Sequence, residues 1–260
     1  SHSQHQKSML CSLIGSPGVG KGTFAKIICS RLNWQHISIG YDSTVGLLVN
    51  CTSYPVTSLT SVTNRDILRE KLKDNTPESK ALKEIMNSGK LISDEQANNL
   101  VVATILEGRQ SAKFSGVLLD GYPRTVGQAV EFDKTFQNEL NNFKVVDIKL
   151  KNSIAIDKLL GRRLCTTCGD SFNTADIVTD GYDMPAILPD KKTCSKGEKC
   201  SPNFVLRGDD TAETILARIE IHDQNSAPIL EYYRQNNKLN TFHVFKGVKD
   251  VDALIELIQK

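Results

Sequence analysis

Residues 15–23 read Gly15-Ser16-Pro17-Gly18-Val19-Gly20-Lys21-Gly22-Thr23, and this stretch decides the fold. An apolar stretch, residues 9–14, precedes it, and residues 24–32 follow with the periodicity of a helix. In this setting G-x-x-x-x-G-K indicates phosphate binding, because the glycines let backbone N–H groups point inward. The helix N-terminus adds partial positive charge and the lysine adds a full one. We therefore predict a phosphate-binding loop followed by a helix.

The residue after the lysine departs from the general pattern of such loops. Gly22 stands where a serine or threonine usually holds Mg²⁺, and Thr23 comes one position later. This departure counts against switch GTPases and motor ATPases. It favours an enzyme whose Mg²⁺ is held largely by nucleotide phosphates and water. The alternative for the whole stretch is a tight strand-to-helix turn with an exposed lysine.

Length and composition favour an ordinary globular protein. The 260 residues can form one core domain with inserted subdomains. The net charge of +2 is too weak for a nucleic-acid or membrane surface, so we expect neither partner. Residues 1–7 are polar and lack the apolar segment of a signal peptide. Seven cysteines, four of them clustered, favour a reducing compartment, and we expect the cytoplasm with the mitochondrion as the alternative.

Apolar strand patterns alternate with helical patterns along most of the chain. This alternation predicts a three-layer α/β/α fold around a central parallel five-stranded sheet. Ligands bind at the carboxyl ends of such strands, where Gly15, Gly40 and Asp120 lie. Asp120 ends a buried strand, where an acid would lie near Mg²⁺; its alternative role is to cap the next turn. We interpret Trp34 and His36 as structural residues.

The helical predictions include two segments before residue 93 and a capping box, Ser93-x-x-Gln96, that opens a further helix. A helix is also predicted over residues 153–164, and another running to about residue 141. The charge-poor stretch 41–64 shows no convincing amphipathic period, and we interpret it as a surface loop or weak hairpin.

Five arginines adjoin turns or helix ends beside the predicted crevice. One such arginine would be an ordinary surface charge, but several beside a phosphate loop indicate phosphoryl transfer, since guanidinium binds phosphate bidentately and stays charged. These are Arg69, Arg124, Arg162, Arg207 and Arg218.

At this point the residues match a family. The phosphate loop, Asp120-Gly121-Tyr122-Pro123-Arg124-Thr125 with Gln128, Gly161-Arg162-Arg163, Arg207-Gly208-Asp209-Asp210 and Arg218 together resemble adenylate kinases of the long-lid type. The resemblance covers nearly the whole chain, apart from the N-terminal tail, the 41–64 stretch and part of the lid. It implies a core of residues 8–40, 107–164 and 207–260, a helical monophosphate-binding subdomain of residues 65–106, and a lid of residues 165–206, with 41–64 as an atypical insertion.

The resemblance also implies an activity and a site. The reaction would be ATP + AMP ⇌ 2 ADP with Mg²⁺, catalysed by a monomer without a covalent intermediate. The expected catalytic residues are Lys21, Arg124, Arg162, Arg207, Arg218, Asp209 and Asp210. ATP would contact Gly15, Ser16, Pro17, Gly18, Val19, Gly20, Lys21, Gly22, Thr23, Lys158, Arg162 and Lys249. AMP would contact Ile39, Gly40, Arg69, Ile92, Gly121, Arg124, Gln128, Arg207 and Arg218, while Asp66 and Asp120 would organise water around Mg²⁺.

The lid contains two pairs of cysteines that could hold Zn²⁺ in a structural site. Cys165 and Cys168 have the spacing of a zinc knuckle, whereas Cys194 and Cys200 are further apart than usual. The alternative is a zinc-free lid with unpaired thiols.

Two departures from the family pattern concern substrate binding. Ile39 replaces a small hydroxyl residue, and the 41–64 stretch is either a surface insertion or non-native sequence. Lys158 stands where an arginine often stacks on the donor base. GTP as the donor and other monophosphate acceptors therefore remain alternatives, as do a catalytically weakened relative and a phosphate-loop protein whose zinc knuckle binds a partner.

Overall fold

The structure is a computed structural model that describes residues 9–42, 46–52, 93–111, 113–167, 170–179, 181–189, 204–206 and 210–260; for 39–52 and 139–141 it describes the backbone. The strands are β1 (Met9–Gly15), β2 (Trp34–Asp42), β3 (Gly46–Thr52), β4 (Gly116–Asp120), β5 (Phe143–Lys149), β6 (Arg162–Cys165), β7 (Ser171–Asn173), β8 (Ile177–Thr179), β9 (Tyr182–Met184), β10 (Phe204–Val205) and β11 (Leu239–His243). The helices are α1 (Lys21–Leu32), α2 (Asp94–Gln110), α3 (Val126–Thr135), α4 (Asn152–Leu160), α5 (Ala212–Gln235) and α6 (Val251–Gln259), with 3₁₀ segments at Gln137–Asn142 and Gly247–Asp250.

The main sheet has the strand order β11-β5-β1-β4-β2-β3. The first five strands are parallel, as the sequence predicts, and β1 lies between β4 and β5. The register places Leu13 of β1 beside Asp120 of β4, so the acid at the end of β4 lies next to the strand that leads into the glycine loop. The carboxyl ends of neighbouring parallel strands meet at one edge, and this is where the predicted site residues come together.

A sixth strand extends the sheet beyond the predicted five. Strand β3 pairs antiparallel with β2, with Ile39 opposite Val49 and Gly40 opposite Leu48. Part of the 41–64 stretch is therefore a hairpin arm, which was one of its two interpretations.

Helices cover both faces of the sheet and complete the three layers. On one face, strand residues such as Leu10 and Val145 pack against α2, α3 and α5, with Phe132 and Tyr233 at the centre. On the other face, Leu13 packs against α1 and α6. Successive strand residues point to opposite faces, which is why nearly continuous apolar runs fill two cores at once.

Two helical predictions are wrong at their C-terminal ends. Helix α4 ends at Leu160 rather than residue 164, because Arg162–Cys165 leave as strand β6 and pair with β7. The Asn173 side chain donates to the carbonyl of Lys158 (2.7 Å) and so satisfies one of the helix's last carbonyls. Helix α3 ends at Thr135 and a 3₁₀ segment follows. The end of α4 thus depends on partners in the following hairpin, whereas the contacts that cap α3 at Phe136 are local.

Two small sheets lie beyond α4. Strands β10, β6 and β7 form one, and the β8–β9 hairpin forms the other. The hairpin packs on the loop after β11: the Asp183 N–H donates to the carbonyl of Phe245 (2.9 Å), and Met184 lies against Gly247. None of the helices that the structure describes combines the length and apolar character needed to cross a bilayer.

Candidate active site

The glycine loop joins β1 to α1, as predicted, and its geometry requires glycine. Gly18 has φ of +88°, and a Cβ there would lie 2.5 Å from the carbonyl oxygen of Ala155. Gly20, with φ of +94°, is the N-cap of α1 and has no side chain to satisfy the first N–H groups of the helix. These amides therefore remain available to an anion, and the dipole of α1 adds to its attraction.

Lys21 begins α1 and folds back over the loop. Its Nζ donates to the carbonyls of Gly15 (2.5 Å) and Ser16 (3.0 Å). Burial lowers the pKa of Lys21 to about 8, although the nearby Asp120 charge acts in the opposite direction. Arg124, Arg162 and Arg218 lower this pKa further through their positive charges. The residues predicted to surround the phosphates are thus close enough to act on one another electrostatically.

Asp120, at the end of β4, is the negative group at the centre of this positive surface. Its Oδ2 lies 3.4 Å from Ser38 Oγ and 3.6 Å from His36 Nε2. Burial by itself would raise the pKa of Asp120, but the contact with His36 and the charges of His36, Lys21 and Arg124 outweigh burial and lower it. The carboxylate is therefore ionised at neutral pH.

Gly22 lies directly beside Asp120, since a Cβ built on it would be 3.4 Å from Oδ2. Carboxylate, hydroxyl and water oxygens are the ligands that Mg²⁺ prefers. The Asp120 carboxylate and the Ser38 hydroxyl therefore fit a hydrated Mg²⁺, whereas Gly22 supplies no side-chain oxygen. Among the described residues there is no group of three His, Cys, Asp or Glu side chains with the geometry of a metal cage.

Asp210 joins two of the predicted arginines. Arg162 donates to both carboxylate oxygens, from Nε at 2.6 Å and from a terminal nitrogen at 2.5 Å, and Arg218 Nη1 lies 3.3 Å from Oδ1. The Asp210 side chain is fully buried and orients both guanidinium groups from beneath the surface of the protein. This brings the start of β6 and the first turns of α5 to the same place.

Arg124 follows the turn after β4 and lies near enough to Asp120 for their charges to interact. Its Nε donates to the carbonyl of Gly121 (2.8 Å), and its backbone N–H donates to Gln128 Oε1 (2.8 Å). Burial lowers the pKa of Arg124, opposed by Asp120 and reinforced by Arg218. A guanidinium group stays charged even so, because its reference pKa is far above neutral pH.

The loop after β11 contains the predicted donor-base contact. Lys249 Nζ lies 2.8 Å from Asp183 Oδ2 of the β8–β9 hairpin. Lys158, the other lysine predicted near the donor base, lies on α4, and burial lowers its pKa. A cavity of about 350 Å³ opens beside this loop; it is lined by Lys149, Leu150, Lys151, Tyr182, Thr241, His243, Val244 and Phe245.

Several predicted site residues lie outside the described part of the chain, namely Asp66, Arg69, Ile92, Cys168, Cys194, Cys200, Arg207 and Asp209, together with both helices predicted before residue 93. The backbone of Ile39 and Gly40 continues β2 beyond Ser38, which pairs with Asp120. Cys165 is buried beside Phe172, and its N–H donates to the carbonyl of Asp170 (2.9 Å) across the β6–β7 turn.

Sequence reasoning missed three residues at this site. His36, expected to be a half-buried structural residue, is buried and lies beside Asp120. Asp94 accepts hydrogen bonds from Thr125 (2.7 Å) and Gln128 (2.9 Å). His222 has a pKa lowered to about 4, chiefly by burial and also by positive neighbours such as Lys21. Of the three, only Asp94 lies at the end of an element, where a local sequence signal could have indicated a role; His36 lies within β2 and His222 within α5.

Comparisons with known proteins agree with this geometry. The family model described as adenylate kinase matches residues 53–238. Adenylate kinase 1, chloroplastic, of Arabidopsis thaliana is 35% identical over 243 residues, which cover 91% of this chain and 72% of that protein. An adenylate kinase of Clostridium botulinum is 32% identical over 251 residues, covering 95% and 96%. The GTP:AMP phosphotransferase of Plasmodium falciparum is 32% identical over 250 residues, covering 95% and 94%.

The family match begins beyond the glycine loop, so the geometry of residues 15–23 is separate support for phosphate binding. The relatives align over more than nine tenths of the chain, and the loop, Asp120 and the arginines meet at one edge of the sheet. The chain therefore belongs to the adenylate kinase family and is a nucleoside monophosphate kinase.

Proposed function

We propose that the chain transfers a phosphoryl group reversibly from ATP to AMP with Mg²⁺ and yields two ADP. The convergence of Lys21, Arg124, Arg162 and Arg218 around the end of β4 supports this proposal most directly. Four positive groups exceed what two carboxylates, Asp120 and Asp210, can neutralise. They suit two facing phosphate chains, where charge must be stabilised as the phosphoryl group moves.

The donor would occupy the glycine loop. Phosphate oxygens would accept hydrogen bonds from the N–H groups at the start of α1. They would also replace the carbonyls of Gly15 and Ser16 as partners of Lys21, whose positive charge the phosphates would then favour. The loop residues 15–23 would thus hold the donor, while Lys158 and Lys249 would border its base.

The transferred group would lie between two sets of arginines. Asp210 holds Arg162 and Arg218 with their guanidinium groups oriented before substrate arrives, and Arg124 would bind the acceptor phosphate from the other side. Catalysis is then positioning and charge stabilisation, with no covalent intermediate. Closure of the lid, residues 165–206, would exclude water and so prevent hydrolysis. We propose that Arg207 and Asp209 join this cluster.

Mg²⁺, when bound, neutralises phosphate charge and keeps the reacting oxygens in line. Asp120 would hold water molecules of its hydration shell, because Gly22 offers no hydroxyl and the carboxylate is ionised. We propose that Asp66 adds a second carboxylate to the same water network.

The acceptor would bind between the turn after β4 and the subdomain of residues 65–106. Arg124 and Arg69 would bind its phosphate, and Gln128 would read its base. The remaining proposed contacts are Ile39, Gly40, Ile92, Gly121, Arg207 and Arg218. The core would comprise residues 8–40, 107–164 and 207–260, with 41–64 as an atypical insertion whose strand β3 lies at the edge of the sheet.

We also propose a structural Zn²⁺ in the lid, bound by Cys165, Cys168, Cys194 and Cys200. The tight β6–β7 turn after Cys165 supports this, because a knuckle places two thiolates on one such turn. Metal analysis of protein purified without added zinc should give one zinc per chain, and Cys165→Ser should lose it. Protein without stoichiometric zinc would refute the proposal. Cys11→Ser is the control, since that thiol lies in the core.

GTP is the second candidate donor. A relative that covers 95% of this chain is named GTP:AMP phosphotransferase, and Lys158 replaces the arginine that often stacks on the donor base. A lysine stacks weakly, so the base would be read chiefly by backbone groups near Lys249.

A coupled assay that crosses ATP and GTP with AMP, GMP, CMP and UMP tests the proposal. Turnover of AMP with ATP, and little turnover of the other acceptors, is the expected result. A preference for GTP would establish the second candidate. No turnover with any acceptor would refute the proposed reaction.

We propose that the enzyme acts as a monomer, binds neither nucleic acid nor membrane, and works in the cytoplasm. The Arabidopsis thaliana relative is named chloroplastic, so a plastid joins the mitochondrion as an alternative compartment. Imaging of the full-length tagged protein would distinguish these compartments. Light scattering of the purified protein would test the monomer.

A further inference from the structure

Both the nitrogen and the oxygen of the Gln128 carboxamide are hydrogen-bonded, the nitrogen to an acceptor and the oxygen to a donor. Its Nε2 donates to Asp94 Oδ1 at 2.9 Å, and its Oε1 accepts from the backbone N–H of Arg124 at 2.8 Å. The side chain is 7% exposed. These two contacts use one of the two Nε2 hydrogens and one lone-pair direction of Oε1, which leaves one donor and one acceptor position for a ligand.

Asp94 and the Arg124 N–H together fix the orientation of the Gln128 amide. A carboxylate can only accept and a backbone N–H can only donate. If the amide rotated by 180°, Oε1 would face the Asp94 carboxylate and Nε2 would face the Arg124 N–H, so both hydrogen bonds would be replaced by repulsions. The order of donor and acceptor that Gln128 presents is therefore set by Asp94 together with Arg124.

The positions of the Gln128 donor and acceptor matter for binding a purine, because the group at C6 determines which atoms of the base donate and which accept hydrogen bonds. Adenine presents a donor amino group at C6 beside an acceptor at N1. Hypoxanthine and guanine present an acceptor oxygen at C6 beside a donor N1–H. An amide that is free to rotate can match either edge, whereas a fixed amide matches one edge and opposes the other.

Asp94 is itself held in place by the ends of two helices. It is the first residue of α2, whose capping box is formed by Ser93 and Gln96. Its Oδ2 accepts from Thr125 Oγ1 at 2.7 Å, and Thr125 caps α3. Gly127 permits this approach, because a Cβ there would lie 3.1 Å from Oδ2.

We infer that Asp94 is a positioning residue that sets purine selectivity in the acceptor site by fixing the orientation of the Gln128 amide. The inference rests on the proposed binding of AMP beside Gln128. Asp94 touches no reacting atom; it acts through Gln128, and the ligand class it selects is a 6-aminopurine monophosphate over a 6-oxopurine monophosphate.

The test is the selectivity of Asp94→Asn for AMP over IMP, which differ at this edge. Asparagine has nearly the same shape, but it can offer an N–H as well as an oxygen, so it no longer repels the rotated Gln128. The ratio of kcat/KM for AMP to that for IMP should fall about 10-fold, because one partly buried hydrogen-bonding mismatch is relieved. The kcat with AMP should change little, and the change should lie in KM.

Glu95→Gln is the matched control, since it removes a neighbouring exposed carboxylate from the same first turn of α2. Its AMP/IMP ratio should equal that of the wild type. Asp94→Glu restores an acceptor-only group and should recover most of the selectivity, which a purely structural role would not require.

An unchanged AMP/IMP ratio in Asp94→Asn, with or without lower stability, would overturn the inference. So would an equal fall of the ratio in Glu95→Gln. If the wild type itself fails to use AMP, the proposed function has failed first. If the wild type prefers AMP and Asp94→Asn keeps that preference, the proposed function stands and this inference alone is wrong.

Discussion

At the residue scale, the positive charge of Lys21 destabilises the folded protein when no nucleotide is bound. Its Nζ contacts two carbonyls, but burial and three nearby arginines lower its pKa to about 8. The unfolded chain would hold this proton up to a pKa near the model-peptide value of 10.5. Between these values the unfolded state binds more protons, so the stability of the free protein should rise as pH increases through this window.

Lys21→Met should abolish transfer without unfolding the protein. Methionine has a similar length and no charge, so it removes the contact with phosphate and also the cost of a buried cation. We expect kcat/KM to fall on the order of 10³-fold, with a melting temperature equal to or above that of the wild type. Lys134→Met, at an exposed position on α3, should retain activity. A Lys21→Met variant that keeps its activity would contradict the role given to this lysine.

Nucleotide binding at pH 8 should take up a proton. Phosphates beside Lys21 favour its charged form and raise its pKa, so about half a proton should bind at pH 8 and almost none at pH 6. Calorimetric titration with ATP in buffers of different ionisation enthalpy measures this uptake. The uptake at pH 8 should be smaller in Lys21→Met. An equal uptake in the variant would assign the proton to another group.

At the element scale, the strand-loop-helix unit was predictable from local sequence. The apolar run of β1, the glycines and the periodicity of α1 agree with one another, and the structure confirms all three. The ends of α3 and α4 were not predictable. Helix α4 stops at Leu160 because Arg162 finds a strand partner in β7 and a carboxylate in Asp210, and neither is visible in a local window.

Gly18→Ala should lower the stability of the protein more than Gly181→Ala, although the two glycines have similar backbone angles. Gly18 and Gly181 have φ of +88° and +82°, but a Cβ at Gly181 would meet no atom within 4 Å. Gly181→Ala should cost about 1–2 kcal/mol of unfolding free energy from backbone strain alone. Gly18→Ala should cost more and weaken ATP binding, as measured by urea denaturation and titration. Equal losses would show that the contact with Ala155 is unimportant.

Deleting residues 41–64 should leave the core folded. Strand β3 pairs with β2 at the edge of the sheet, and the five parallel strands do not depend on it. The truncated protein should keep its far-UV circular dichroism and a cooperative melting transition. Aggregation would contradict this prediction, because it would mean that β3 protects the exposed edge of β2.

At the scale of the whole molecule, the site exists because distant segments meet. Asp210 connects Arg162 at the start of β6 with Arg218 on α5, and the β8–β9 hairpin is joined to the loop after β11 through Asp183 and Lys249. Two nucleotides bound face to face would therefore contact segments from several parts of the chain at once. Such a ligand should stabilise the molecule more than either nucleotide does alone.

A ligand made of two adenosines joined by a chain of phosphates tests this arrangement. Linking the two halves makes the second binding step intramolecular, so its Kd should be far lower than that of AMP or an ATP analogue. At a thousand times its Kd it should add about 4 kcal/mol of stability, measured as a rise in melting temperature. A rise no larger than that given by AMP would mean that the two half-sites do not face each other.

The sequence by itself determined the alternation of strands and helices, the glycine loop and the identity of most charged groups that meet at the end of β4. These features depend on local patterns: the apolar period, the glycines, and charged residues at the ends of elements. Only the tertiary structure decided that Asp210 clamps two arginines, that His36 lies beside Asp120, that β3 extends the sheet and that Asp94 orients Gln128. Each of these contacts joins residues whose separation in space is set by strand order and helix packing, which no local pattern encodes.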